Sequence, residues 1–213
     1  MTVDRMEAEG RRQKVKGESH RAPPSTFCPL PFTSPKIIIM NVEQAFLESA
    51  IKRFRDYKEL AEKTFGQLGD ADMHVQPNEA SNSIAIIIRH MHGNMLSRWT
   101  NFLTEDGEKP WRRRDEEFEA SQHTKEQLLE LWNEGWKVFF AALESLKAED
   151  LLSTITINSK PFIVIDAING QMAHYSYHVG QIVYLGRWLR NSGWKSLSIP
   201  KAQPRQDVEQ SRH

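Results

Sequence analysis

One cysteine, Cys28, is all the chain contains. No disulfide can close within it, so a fold of this length has to rest on an apolar core, as suits a reducing compartment. Long apolar runs are missing as well. None approaches the roughly 20 residues that cross a bilayer as a helix, and the polar N-terminus has no hydrophobic stretch of a secretory signal. A cytoplasmic protein without a membrane partner is therefore expected. Charge of one sign is also absent: Lys+Arg and Asp+Glu both number 28. No global field points to nucleic acid or an anionic lipid surface. Proline is sparse where it would break helices. Of the 10 in the chain, Pro23, Pro24, Pro29, Pro31 and Pro35 crowd the first segment.

Residues 1–39 have no sustained period and too little apolar surface to offset the entropy of ordering. They read as a disordered or non-native extension, with Met40 opening the domain proper. Helical spacing then runs through most of residues 40–190. Phe46, Ala50, Phe54, Tyr57, Leu60, Ala61 and Phe65 predict a first helix from about Val42 to Leu68. A second is expected from Glu79 or Ser81 to Leu103. Residues 104–122 are charged and aperiodic, which is long for a connection, and long loops often carry function. Within them Arg112–Arg114 read as solvated, whereas Trp111 is expected to pack on the fold. Thr124 and Gln127 form a capping-box pattern ahead of a third helix that reaches Leu146. The period then changes. Thr154–Ile157 and Pro161–Ile165, with Asn158-Ser159-Lys160 between them, read as a β-hairpin. A fourth helix follows from Asp166 to Arg190. Gly180 and Gly186 inside it call for compensation, such as close approach of another helix, including one from a second subunit. Residues 191–213 read as a flexible tail. The expected fold is all-α, a four-helix bundle with a small β-hairpin before the fourth helix.

The fourth helix carries His174 and His178. Four residues advance a helix by little more than a turn, so both imidazoles leave one face. That is how one helix gives two nitrogens to one metal ion. Ala167, Gln171, Ile182, Leu185 and Leu189 share the stripe, which makes it the inward one. A zinc protease would carry Glu directly after the first histidine; here Tyr175 stands there. Two histidines so spaced are also found as ordinary hydrogen-bonded residues, so a third ligand decides. The second helix offers a polar stripe of Ser83, His90, Asn94, Ser97 and Asn101 with Ile87, either a solvated groove or the lining of a site. His90 lies on it. His92 points about 200° away and by spacing alone is also a candidate.

His90-Met91-His92-Gly93-Asn94-Met95-Leu96-Ser97-Arg98-Trp99, then Asp106-Gly107-Glu108-Lys109-Pro110-Trp111, then Ala173-His174-Tyr175-Ser176-Tyr177-His178-Val179-Gly180-Gln181-Ile182 together resemble a DinB-like protein. The resemblance is to a bacterial subgroup of uncharacterised function within the DinB/YfiT superfamily, over about residues 40–190. It implies a bundle holding a metal on three histidines, with His90 the ligand from the second helix and His174 and His178 the pair from the fourth. Three neutral imidazoles suit Zn, Ni, Fe or Mn and leave coordination positions open. Asn94 and Arg98, each a further turn along from His90, are candidates to meet substrate; the bland alternative is a buried polar contact with the crossover loop. The resemblance further implies a metal-dependent transferase that uses a low-molecular-weight thiol in detoxification or stress response, as do bacillithiol- and mycothiol-dependent relatives, and a homodimer. A metal-dependent hydrolase and a non-enzymatic metal-binding stress protein are the competing readings. No general base is evident in the sequence.

Overall fold

The computed structural model describes residues 41–198. The expected N-terminal extension, residues 1–39, lies outside them. Four long helices dominate: α1 Val42–Phe65, α2 Ile84–Trp99, α3 Lys125–Ser145 and α4 Val164–Arg190. A two-stranded antiparallel hairpin, β1 Thr154–Ile157 and β2 Lys160–Ile163, runs straight into α4. The all-α reading with a hairpin before the last helix therefore holds. α2 packs chiefly along α3 and α1 along α4, with α2 also meeting α4.

Local chemistry sets the boundaries. Asn41 caps α1 by accepting the Gln44 N–H, and Ser83 caps α2 by accepting that of Ile86. The capping box at Thr124 and Gln127 is formed in both directions. Each such cap satisfies a backbone donor that the helix cannot. The hairpin turns at Asn158 and Ser159, both with positive φ, 50° and 59°. This is the hand that tight hairpin turns require. α2 is shorter at both ends than the spacing predicts. Ser83 stops it growing backward, and Asn101, at φ 50°, stands just beyond its C-cap Thr100.

The core is a block of edge-packed aromatic rings between α1, α3 and α4. Phe54, Trp136, Phe139 and Tyr175 are all fully buried. Their centroids lie 4.5–6.4 Å apart, which is the favourable range for edge-to-face rings. Two expectations in the crossover loop are corrected. Trp111 packs only in part: it stands at the rim of a cleft over α2 and α3 and stays 54% exposed. Arg112 is not solvated; its side chain is 4% exposed and paired with Glu117 and Glu108. Arg112 is drawn in because the loop folds back on α2 through a 3-10 turn at Asp115–Phe118 that buries Glu117, its partner.

The two glycines of α4 differ. A Cβ on Gly186 would lie 2.4 Å from Cγ2 of Thr64, so α1 is the close neighbour that this position needs. Gly180 has nothing within 4 Å among the described residues. Beyond α4, the first part of the expected tail carries structure. A 3-10 turn at Asn191–Gly193 is followed by Lys195, whose backbone N–H and carbonyl both pair with the Gln67 amide. Residues 199–213 lie outside the described range. No described helix is long and apolar enough to cross a membrane.

Candidate metal centre

The polar stripe of α2 is buried. Ser83, His90, Asn94 and Ser97 are between 0% and 6% exposed, so this part lines a site; Asn101, beyond the end of α2, is exposed. Opposite it, α4 presents Gln171, His174 and His178. One ring nitrogen from each of His90, His174 and His178 lies within 4.8 Å of the others. The Nε2 of His174 stands 3.3 Å from that of His90 and 3.0 Å from that of His178. The structure thus brings together the three histidines named from the sequence. It leaves His92 out: that ring turns to α3, where its Nε2 meets Glu134 at 2.9 Å.

Each histidine is held by its other nitrogen, Nδ1. His90 Nδ1–H donates to Glu117 Oε2 at 2.9 Å. His178 Nδ1–H donates to Gln181 Oε1 at 2.9 Å. Both of those Nε2 atoms therefore present lone pairs toward the centre. His174 is reversed, because its Nδ1 accepts from the Gln171 amide at 2.8 Å. Its proton accordingly sits on Nε2, between the other two rings. That one proton stands where the three nitrogens converge.

This donor set fits a divalent transition metal. Three imidazole nitrogens meet, and two of the three rings already have the tautomer that a ligand needs, fixed by an acceptor at Nδ1 as is usual around metals. The third acquires it when the Gln171 amide turns over, so that Oε1 accepts the Nδ1–H. Gln171 also donates to Asn94 Oδ1 at 2.9 Å, and Tyr175 OH reaches the same oxygen at 3.3 Å. If the two amides reverse together, the Asn94 N–H donates to Gln171 Oε1, and the Tyr175 hydroxyl must turn to accept from Asn94. Burial first, then the neighbouring histidines, lowers His174 to about 3. Burial likewise lowers His178 to about 4, against the Gln181 contact that raises it. Both rings are neutral near pH 7, the state in which a histidine binds metal.

Glu117 is the member that the sequence did not single out. Burial pushes its carboxyl upward, but hydrogen bonds from His90 and Arg112 outweigh that and hold it below the usual carboxylate range. Arg112 grips both oxygens, Nε on Oε1 at 2.8 Å and an Nη on Oε2 at 3.0 Å. Arg89 anchors the same turn through the carbonyls of Glu116 and Glu119. A signal existed: Gly93, inside α2, three residues past His90 and next to Asn94. A Cβ there would stand 2.1 Å from Glu117 Oε1. Only glycine lets the carboxylate lie this close to the helix.

Beside the histidines runs a groove of about 290 Å³, lined by Asn94, Arg98, Ile157, Phe162, Asp166, Ala167, Gly170, Gln171 and His174. Both residues named from the sequence as substrate contacts line it. Asn94 is itself engaged with Gln171, whereas Arg98 is not engaged with any hydrogen-bonding partner among the described residues.

Comparison with known proteins agrees with this architecture. The model of a family described as "Protein of unknown function (DUF1572)" matches residues 41–203. Among solved structures the chain is similar to a DinB-like protein from Bacillus cereus ATCC 10987, at 16% identity and a TM-score of 0.52, over 74% of this chain and 97% of that one. A likeness at that identity is one of fold. No curated protein matches.

Proposed function

The chain belongs to the family described as Protein of unknown function (DUF1572), a DinB-like family, and on that premise we propose that it is a metal-dependent transferase acting with a low-molecular-weight thiol. The observation that carries the reading is the convergence of His90, His174 and His178, each locked through Nδ1. These three would hold Zn, Ni, Fe or Mn. When bound, a divalent ion on three neutral imidazoles keeps a position open and favours the ionised form of a thiol or water there.

The chain's own residues favour the thiol over water. Among the described residues Glu117 is the carboxylate hydrogen-bonded to the cluster, and both of its oxygens are already occupied. It holds His90; it is not free to take a proton from water. A thiol ionises at about pH 8.5 unaided and needs no such base. Gln171 and Asn94 orient what enters beside His174. Ile157 and Phe162 supply an apolar wall that limits water. Transfer to an electrophile would form one C–S bond, break the bond to the leaving group and release the thiol proton to solvent. Such chemistry suits detoxification.

The test is elemental analysis of tag-free full-length protein with H174A in parallel. About one equivalent of a transition metal, lost in the variant, is the expected result. Turnover of an electrophile should then require added thiol. Turnover without thiol would move the reading to a hydrolase. Absence of metal uptake on titration with Zn, Ni or Mn would leave the histidines structural.

A further inference from the structure

Arg98 projects from α2 eight residues past His90, about 12 Å along the helix axis. Helical side chains lean toward the N-terminus, which brings its guanidinium back toward the histidines. It lines the same groove as His174. Its Nε is buried with no hydrogen-bond partner among the described residues, and it takes part in none of their ion pairs. This is not a side chain left loose. Its stem crosses Gly107, where a Cβ would stand 2.8 Å from Arg98 Cδ and 3.2 Å from Nε. Gly107 is itself pinned, its N–H donating to Thr156 O at 2.8 Å and its carbonyl accepting from Ser97 Oγ at 3.1 Å.

The acids around Arg98 are committed elsewhere. Asp106 accepts three backbone N–H groups, from Glu108 at 2.8 Å and from Asn158 and Ser159 at 2.7 Å each. Those last two bonds hold the hairpin turn. Glu108 and Glu117 both face Arg112. Asp166 lines the groove but is exposed and not paired with Arg98. A half-buried cation without a partner is costly, and a hydrogen-bonded anion offsets that cost.

We propose that the groove recognises the carboxylate end of a small ligand, with Arg98 as its anchor, so that the co-substrate is an acidic thiol. A single guanidinium matches a carboxylate as a two-pronged fork, and Arg98 is the only Lys or Arg lining the groove, which favours a monoanion over a phosphate dianion. The thiol half of this inference rests on the metal-dependent reading; the carboxylate half does not.

The experiment compares two thiols of equal length on zinc-loaded full-length protein: 3-mercaptopropionate and 3-mercapto-1-propanol. The acid should bind about tenfold tighter or better, as charge-assisted hydrogen bonds imply. R98Q should bring the two to parity, and R98K should keep part of the preference, which shows that the loss is not one of folding. No preference in the wild type, or a preference that survives in R98Q, would overturn the proposal. Should zinc not load, propionate is titrated into the metal-free protein while the Arg98 Nε–H is followed by NMR. A saturating shift then supports the carboxylate site although the metal reading has failed. A resonance that does not move refutes the site itself.

Discussion

His174 and Tyr175 are neighbours on α4, yet they face two interiors built on different terms. Tyr175 enters the aromatic block, with Phe54, Trp136 and Phe139 5.3–5.9 Å away between centroids. His174 enters the polar seam between α2 and α4. The aromatic block is held by area and shape, which are not directional, and its rings need only fill the volume. In the polar seam the ring nitrogens and amide groups have assigned partners, and the assignment fixes which nitrogen of each ring is free. The seam is therefore specified by partner identity. One hydrogen bond, Tyr175 OH to Asn94 Oδ1 at 3.3 Å, joins the two. The comparison teaches that aromatic packing and the histidine cluster are carried by separate side chains on one helix, so that each should be breakable alone.

The largest effect should come from the aromatic side. W136A removes a fully buried ring, and truncations of this kind cost about 3–5 kcal/mol. Urea unfolding should show that loss, while metal uptake by the folded fraction stays within about threefold of wild type, since the aromatic partners of Trp136 among the described residues are Phe54, Trp132, Phe139, Phe140 and Tyr175 and no histidine (an indirect cost of ~0.6 kcal/mol at most). An equal collapse of metal affinity would break the comparison.

The next effect lies on the polar side. Removing Glu117 alone would leave Arg112 a buried cation short of its partner, which confounds stability with site geometry. E117Q/R112Q removes both charges together. His90 then loses its strong acceptor, and second-sphere changes of this type lower metal affinity about 10–100-fold. Competition with a chromogenic chelator would measure it. An unchanged affinity would mean that Glu117 braces the loop and does nothing for His90.

These two regions were unequally legible in the sequence. Aromatic and aliphatic residues at steps of three and four announce a buried helix face, so α1 and α3 were readable nearly to their ends. The pair His174 and His178 was readable for the same reason, since their spacing is the helical repeat itself. His90 was narrowed by the polar stripe and separated from His92 by resemblance. Glu117 and Arg112 were not readable. They lie in an aperiodic connection, where burial depends on how a 3-10 turn folds back and leaves no repeat to detect. Charge there suggested water, and Arg112 turned out to be among the most enclosed side chains of the site. The trace that the sequence did hold was indirect: a glycine inside α2, Gly93, with no helical reason to be there.

The smallest predicted effect tests the outer face of α4, which belongs to neither interior. Gly186 is explained by α1, but Gly180 has open space around it and exposed aromatic neighbours, with Tyr177 at 62% and Tyr184 at 70% exposure. In a helix interior facing water, glycine costs about 0.5–1 kcal/mol relative to alanine. G180A should therefore stabilise the protein by about that amount in urea unfolding, equally at low and high protein concentration. The added methyl meets nothing within 4 Å among the described residues, so no packing term from them opposes the gain. If the variant instead loses stability, and the loss grows as the wild type is concentrated, the face is covered by a second copy whose helix approaches where Gly180 has no Cβ. The aromatic stripe of Tyr177, Tyr184 and Trp188 would then be a third interior, made only on association. Either result fixes which glycine of α4 serves this chain and which would serve a pair.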